Sequence, residues 1–138
     1  MGLEKLGDGP GPDVVLLPGL QGSPLIFQPL VQRLQSDFRL WGFECSEAGI
    51  DEDQQLLTRM LEERGIWKPR LVAGSYGGQV ALALDTPVHS LVLTGSFPSW
   101  RAVPLRQRAI LRLAMRSPEG LLEKRYAASF CDRLVEDG

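Results

Sequence analysis

The 138-residue sequence predicts an α/β fold, a mainly parallel sheet flanked by helices, followed by a C-terminal helical segment. Two observations carry this. Val14–Leu17 is a short unbroken apolar run of the kind expected of a strand covered on both faces, and Phe38–Phe43, Arg70–Ala73 and Val88–Leu93 read as further short, mainly apolar strands. Between them lie segments with apolar residues at helical spacing. Strands alternating with helices pair in parallel through right-handed crossovers, which put helices on both faces of the sheet.

Along the chain, residues 1–12 contain Gly7, Gly9, Pro10, Gly11 and Pro12 and read as a flexible lead-in. Order starts at Asp13, and the first apolar run ends at Pro18-Gly19. Ser23 can cap a helix whose first turn suits Pro24 and whose apolar face is Leu25, Phe27, Leu30, Val31 and Leu34. Phe38–Phe43 is a second strand, and Cys45–Gly49 a loop. Asp51–Arg64 is the clearest helix, with Asp51, Glu52 and Asp53 at its start, Leu56, Leu57, Met60 and Leu61 on one face, and Gly65 as its stop. Strand Arg70–Ala73 turns sharply into a helix over Gly77–Leu84, where Gly78, Ala81 and Ala83 allow close approach to the sheet. Asp85-Thr86-Pro87 turns the chain into strand Val88–Leu93, which ends at Thr94-Gly95-Ser96. From Phe97 the alternation stops, and Ala102–Met115 and Pro118–Leu134 read as helices. The organisation expected is a lead-in over 1–12, an α/β core over 13–96 and a helical cap over 97–138.

Composition excludes several classes. A net charge of −2 gives no bulk attraction to nucleic acid or anionic membrane. No run approaches ~18 apolar residues, and no basic-then-apolar leader opens the chain, so a cytoplasmic protein without a membrane span is expected. Cys45 and Cys131 are too far apart for a metal motif and read as reduced apolar fillers. Glu47 with Asp51, Glu52 and Asp53 lacks the spacing of a calcium loop, and helix N-terminal charge accounts for the cluster. No metal or organic cofactor is implied.

The chemistry concentrates in Leu71-Val72-Ala73-Gly74-Ser75-Tyr76-Gly77-Gly78. A serine at a strand-to-helix corner, flanked by small residues two before and two after, is how an exposed nucleophile is built; here Ala73 takes the first position of G-x-S-x-G. The dinucleotide fingerprint G-x-G-x-x-G is not met, and no Walker lysine follows. A serine nucleophile needs a base and an acid that orients it. The sequence has a single histidine, His89. It enters the strand after Ser75's own, five residues or about 17 Å from the serine end, so it is excluded as the base within one subunit.

This order of parts resembles the α/β-hydrolase superfamily over Asp13 to Ser96. Val14-Val15-Leu16-Leu17-Pro18-Gly19-Leu20 is similar to the strand and loop bearing the family's H-G-x segment, with Pro18 in place of the histidine. The resemblance implies a partial α/β-hydrolase fold, Ser75 as nucleophile, and the N–H groups of Leu20 and Tyr76 as the oxyanion hole. Relative to a complete member the chain lacks the N-terminal hairpin and the region after the first cap helices, where the acid and the histidine reside. A shorter likeness is to the maspardin branch, in Val88-His89-Ser90-Leu91-Val92-Leu93 followed by Ser96-Phe97.

The resemblance thus implies a serine ester or acyl hydrolase, or the N-terminal part of one, acting on a small ester or acyl substrate. The alternative is a non-catalytic binding or scaffold protein of the maspardin kind. Phe97, Trp100 and Met115 line an acyl pocket or belong to the core. The stretch Arg101–Arg125, basic on balance, is a solvated cap face or a surface for acidic partners. Strand Val88–Leu93 is expected to be an apolar sheet edge, through which the chain pairs with a second copy or another protein, unless residues 102–134 bury it or it leads to aggregation.

Overall fold

A computed structural model of the chain describes residues 2–19, 22–46, 48–96 and Leu105. Apart from Leu105, the predicted cap over 97–138 lies outside the described residues, as do Cys131 and the pocket candidates Phe97, Trp100 and Met115. The described elements are β1 (Leu3–Asp8), β2 (Asp13–Leu17), a 3-10 turn (Pro24–Phe27), α1 (Gln28–Leu34), β3 (Arg39–Phe43), α2 (Ile50–Glu63), β4 (Arg70–Gly74), α3 (Tyr76–Leu82) and β5 (Ser90–Thr94). The strands form one sheet in the order β1-β3-β2-β4-β5. β2 pairs in parallel with β3, Val14 opposite Leu40, and with β4, Val15 opposite Leu71. β4 pairs in parallel with β5, Ala73 opposite Leu93.

Alternation along the strands sends side chains to two cores. Val15, Leu17, Leu71 and Ala73 join Leu57 and Leu61 of α2 and Val80 and Ala81 of α3 on one face. Val14, Leu16 and Leu40 meet Val31 of α1 on the other. β2 lies between both layers, and Val15, Leu16 and Leu17 are wholly buried. This is why its sequence reads as continuous apolar residues rather than alternation.

Two expectations need correction. The lead-in is not flexible throughout, since Leu3–Asp8 forms an antiparallel edge strand on β3, with Leu3 opposite Phe43. Leu3 enters the first core and Leu6 packs on the second. Gly9 N–H donates to Phe38 O at 3.0 Å and Gly11 N–H to Asp37 O at 2.8 Å, so the Gly-Pro stretch is tied to the turn before β3. Lys5 and Arg64 both lie over the Trp41 ring, 5.5 and 5.7 Å from its centre. An N-terminal antiparallel strand is therefore present where none was expected.

The second correction concerns Leu25, which was expected on an apolar helix face. Ser23 does cap the turn, its Oγ accepting from Leu25 N–H at 3.3 Å. The turn is 3-10, however, and its tighter winding rotates Leu25 and Ile26 outward, leaving them 68% and 57% exposed.

Candidate active site

At β2 the sheet order reverses: the chain leaves β2 for β3 on one side and returns to β4 on the other. In parallel sheets the crevice outside the carboxyl ends at such a switch point is where ligands bind. Two segments border it, Pro18-Gly19 leaving β2 and Ser75 leaving β4.

Ser75 is exposed and has φ 48° and ψ −116°, a left-handed conformation that an L-residue adopts at a cost of about 1–3 kcal/mol. Its backbone is held there from several sides. Its N–H donates to Thr94 O at 3.0 Å, and its carbonyl accepts from Gly78 N–H and from Ser96 Oγ, each at 3.1 Å. The packing around it leaves no room for larger residues. A Cβ on Gly77 would fall on the carbonyl oxygens of Leu17 and Pro18, and one on Gly78 would fall on the Ser96 side chain. Ala73, by contrast, has room for its methyl in the core, where it is wholly buried. Alanine two residues before the serine is thus accommodated, whereas glycine two residues after it is required.

Tyr76 follows the serine and opens α3, so its N–H precedes the first intrahelical bond. Its ring packs on the core, and its hydroxyl donates to Asp53 Oδ2 at 2.9 Å. Burial, reinforced by the bond to Asp53, raises the phenol pKa and keeps it a proton donor. The other Asp53 oxygen accepts from Ser46 N–H at 2.6 Å, just beyond β3. Asp53 is 0% exposed, while Asp51 and Glu52 beside it are exposed. The acidic cluster read as uniform helix-end charge is therefore divided in two.

The structure brings Ser75 and Tyr76 together at the corner. Leu20, the other expected oxyanion donor, lies outside the described residues. The segment leading to it runs against the serine, because a Cβ on Gly19 would lie 3.6 Å from Ser75 Oγ. His89 is placed as expected, at the far end of the sheet, its N–H donating to Pro69 O at 3.0 Å and its ring Nε2 3.4 Å from Arg70 Nη2. Sequence reasoning missed Asp53, Ser46 and Ser96. For Asp53 a signal existed, since Asp53, Leu57 and Leu61 recur every four residues and all three are buried.

No family model matches the chain. It is 28% identical to a pimeloyl-[acyl-carrier protein] methyl ester esterase of Vibrio atlanticus over 140 aligned residues, 94% of this chain and 50% of the relative. An alpha/beta hydrolase fold protein from Burkholderia ambifaria superposes with a TM-score of 0.68 at 18% identity, over 91% of this chain and 51% of the other. A structure from a study of carboxylesterases of Nitrososphaera gargenis gives 0.68 at 20%, over 83% and 49%. The chain has the α/β-hydrolase fold. It spans about half the length of the curated relative it matches, so the fold is a partial one. Within this partial α/β-hydrolase fold, the described residues provide the serine corner and the backbone facing it. No described helix is long and apolar enough to cross a membrane.

Proposed function

We propose that the chain forms the nucleophile-bearing half of a serine-dependent carboxylic-ester hydrolase. The observation that supports this most is Ser75 itself, exposed and held in a strained left-handed corner at the switch point of the sheet. Strain maintained by surrounding bonds at a solvent-facing residue is a mark of a functional site. In this reading Ser75 Oγ attacks the ester carbonyl while a base takes its proton. The N–H groups of Tyr76 and Leu20 donate to the resulting oxyanion. Collapse of the intermediate expels the alcohol, which takes up that proton, and water then hydrolyses the acyl-serine by the same route. His89 is remote from Ser75, so the base and its orienting acid come from outside these 138 residues.

The relative's name puts methyl esters of carrier-bound acids first among the substrates to test. Between Arg101 and Arg125 the sequence has seven basic residues against Glu119 and Glu123, a balance that suits an acidic partner.

The test is labelling with a fluorophosphonate probe, alongside turnover of short-chain esters. The gene product at its native length should label at Ser75 and lose both labelling and turnover in Ser75→Ala. The isolated 138-residue chain should label slowly, because the base is missing. Fast labelling of the isolated chain would contradict the missing base. A native-length protein that neither labels nor turns over esters would favour the non-catalytic binding reading, with β5 as the docking edge.

A further inference from the structure

We propose that Asp53 is a positioning residue for this site, fixing the oxyanion-donating amide of Tyr76 through the Tyr76 side chain. This inference rests on the reading of Ser75 as the nucleophile. Asp53 sits in the first turn of α2 and is wholly shielded from solvent. A carboxylate in such a place is costly unless it is hydrogen-bonded. A leucine in register with Leu57 and Leu61 would pack on the same stripe without that cost. Among the described residues the carboxylate has two hydrogen-bond partners, and both lead to the carboxyl end of the sheet: Ser46 N–H, on the segment leaving β3, and Tyr76 O–H, on the residue after the serine. Asp53 thus ties the outlet of β3 to the outlet of β4.

The geometry explains what the tie does. Ser75 has φ 48°, and relaxing it to an ordinary value would swing the following residue about the corner. Tyr76 resists that swing at two points, its ring in the core and its hydroxyl on Asp53. The bonds that Ser75 O accepts from Gly78 and Ser96 hold the peptide plane that carries the Tyr76 N–H, and the serine's own N–H is held by Thr94 O, but none of these bonds reaches the Tyr76 side chain. Asp53 adds a restraint from the far side, holding the Tyr76 side chain so that the residue whose N–H faces the developing charge is fixed at both its peptide and its ring. It touches no substrate and acts only through Tyr76.

The experiment compares Ser75→Ala, Tyr76→Phe, Asp53→Asn and the Tyr76→Phe/Asp53→Asn double variant in the native-length protein. Short-chain esters serve as substrates and an alkyl fluorophosphonate, which loses fluoride as phosphorus bonds to Ser75 Oγ, as the mimic of the tetrahedral oxyanion. The expected result is a fall in kcat of about tenfold in each of the two single positioning variants, below the ~10²–10³ seen when a donor is removed outright. KM should stay within twofold, phosphonate reactivity should fall in step with kcat, and the double variant should be no worse than the worse single one. Asp53→Asn preserves shape, so the test survives if Tyr76→Phe fails to fold. If Ser75→Ala abolishes turnover while both positioning variants keep normal kcat, or if their losses multiply, the role of Asp53 is overturned and the nucleophile stands. If Ser75→Ala keeps turnover, the nucleophile reading fails, and this inference fails with it.

Discussion

The two ends of β4 are built differently. At its carboxyl end Ser75 is strained, three backbone segments converge within van der Waals reach, and a buried carboxylate anchors the next residue. At its amino end Trp67 is 71% exposed, Arg70 and the exposed His89 make a long contact at 3.4 Å, and the neighbouring strands are joined by the partly exposed pair of Arg39 and Asp13. At the carboxyl end several hydrogen bonds converge on one strained residue, whereas at the amino end a backbone bond from His89 to Pro69 is joined by side-chain pairs nearer the surface. The contrast lies within one five-residue strand. It also sets the lone histidine, His89, at the opposite end of that strand from Ser75.

The strongest way to break this comparison is at Ser75. Ser75→Ala in the native-length protein should lower ester turnover by at least ~10³-fold, with unchanged thermal unfolding. Retained turnover would place the chemistry elsewhere. Next comes Gly77→Ala, whose methyl meets the carbonyls of Leu17 and Pro18. It should cost about 2–3 kcal/mol in urea unfolding, and a cost under ~0.5 kcal/mol would mean the corner is looser than its contacts imply.

At the amino end the effects should be small and electrostatic. The hydrogen bond from Arg39, opposed by burial and aided by Trp41, holds the Asp13 carboxyl below its ordinary pKa. A depressed folded-state pKa means the contribution is present above the unfolded value near ~3.9 and is lost as pH falls through the lower folded value. Asp13→Asn should therefore flatten the acid limb of stability below about pH 4, by under ~1 kcal/mol because the pair is partly exposed. An unchanged acid limb would remove the pair from the account. Smallest of all, His89→Gln should leave turnover within about twofold and stability within ~0.5 kcal/mol. A tenfold loss of turnover would bring His89 into the catalysis and collapse the distinction between the ends.

The sequence made one end of β4 far more legible than the other details. The corner at Ser75 is local: an apolar run, a serine and small residues at fixed offsets specify it within eight positions. The same holds for β2 and α2, whose apolar runs and end signals fall within a residue or two of the observed limits. β1 was hidden because Gly and Pro around it signal breaks, while the partner that makes it a strand, β3, is more than thirty residues away. Gly7, Gly9 and Gly11 serve instead to let the backbone lie against residues 35–38. Asp53 was hidden for a related reason. Acidic residues in a first helical turn need no further explanation, and Tyr76 is 23 positions along the chain. Leu25 misled because apolar spacing does not distinguish an α-turn from a 3-10 turn.

The bond that Ser75 N–H donates to Thr94 O, and the one its carbonyl accepts from Ser96, have a kinetic consequence. Among the described residues β5 is paired on one side only, and Val92 and Leu93 are 54% and 43% exposed. Strands so placed open and close well below the free energy of global unfolding. Each such opening frees the serine's amide and removes one of the two bonds to its carbonyl, while the bond from Gly78 remains and β2 and β4 stay paired. In this chain the amide proton of Ser75 should therefore exchange with solvent at the pace of β5, faster than the β4 amides bonded to β2, so one side of the corner loosens while the sheet around it persists.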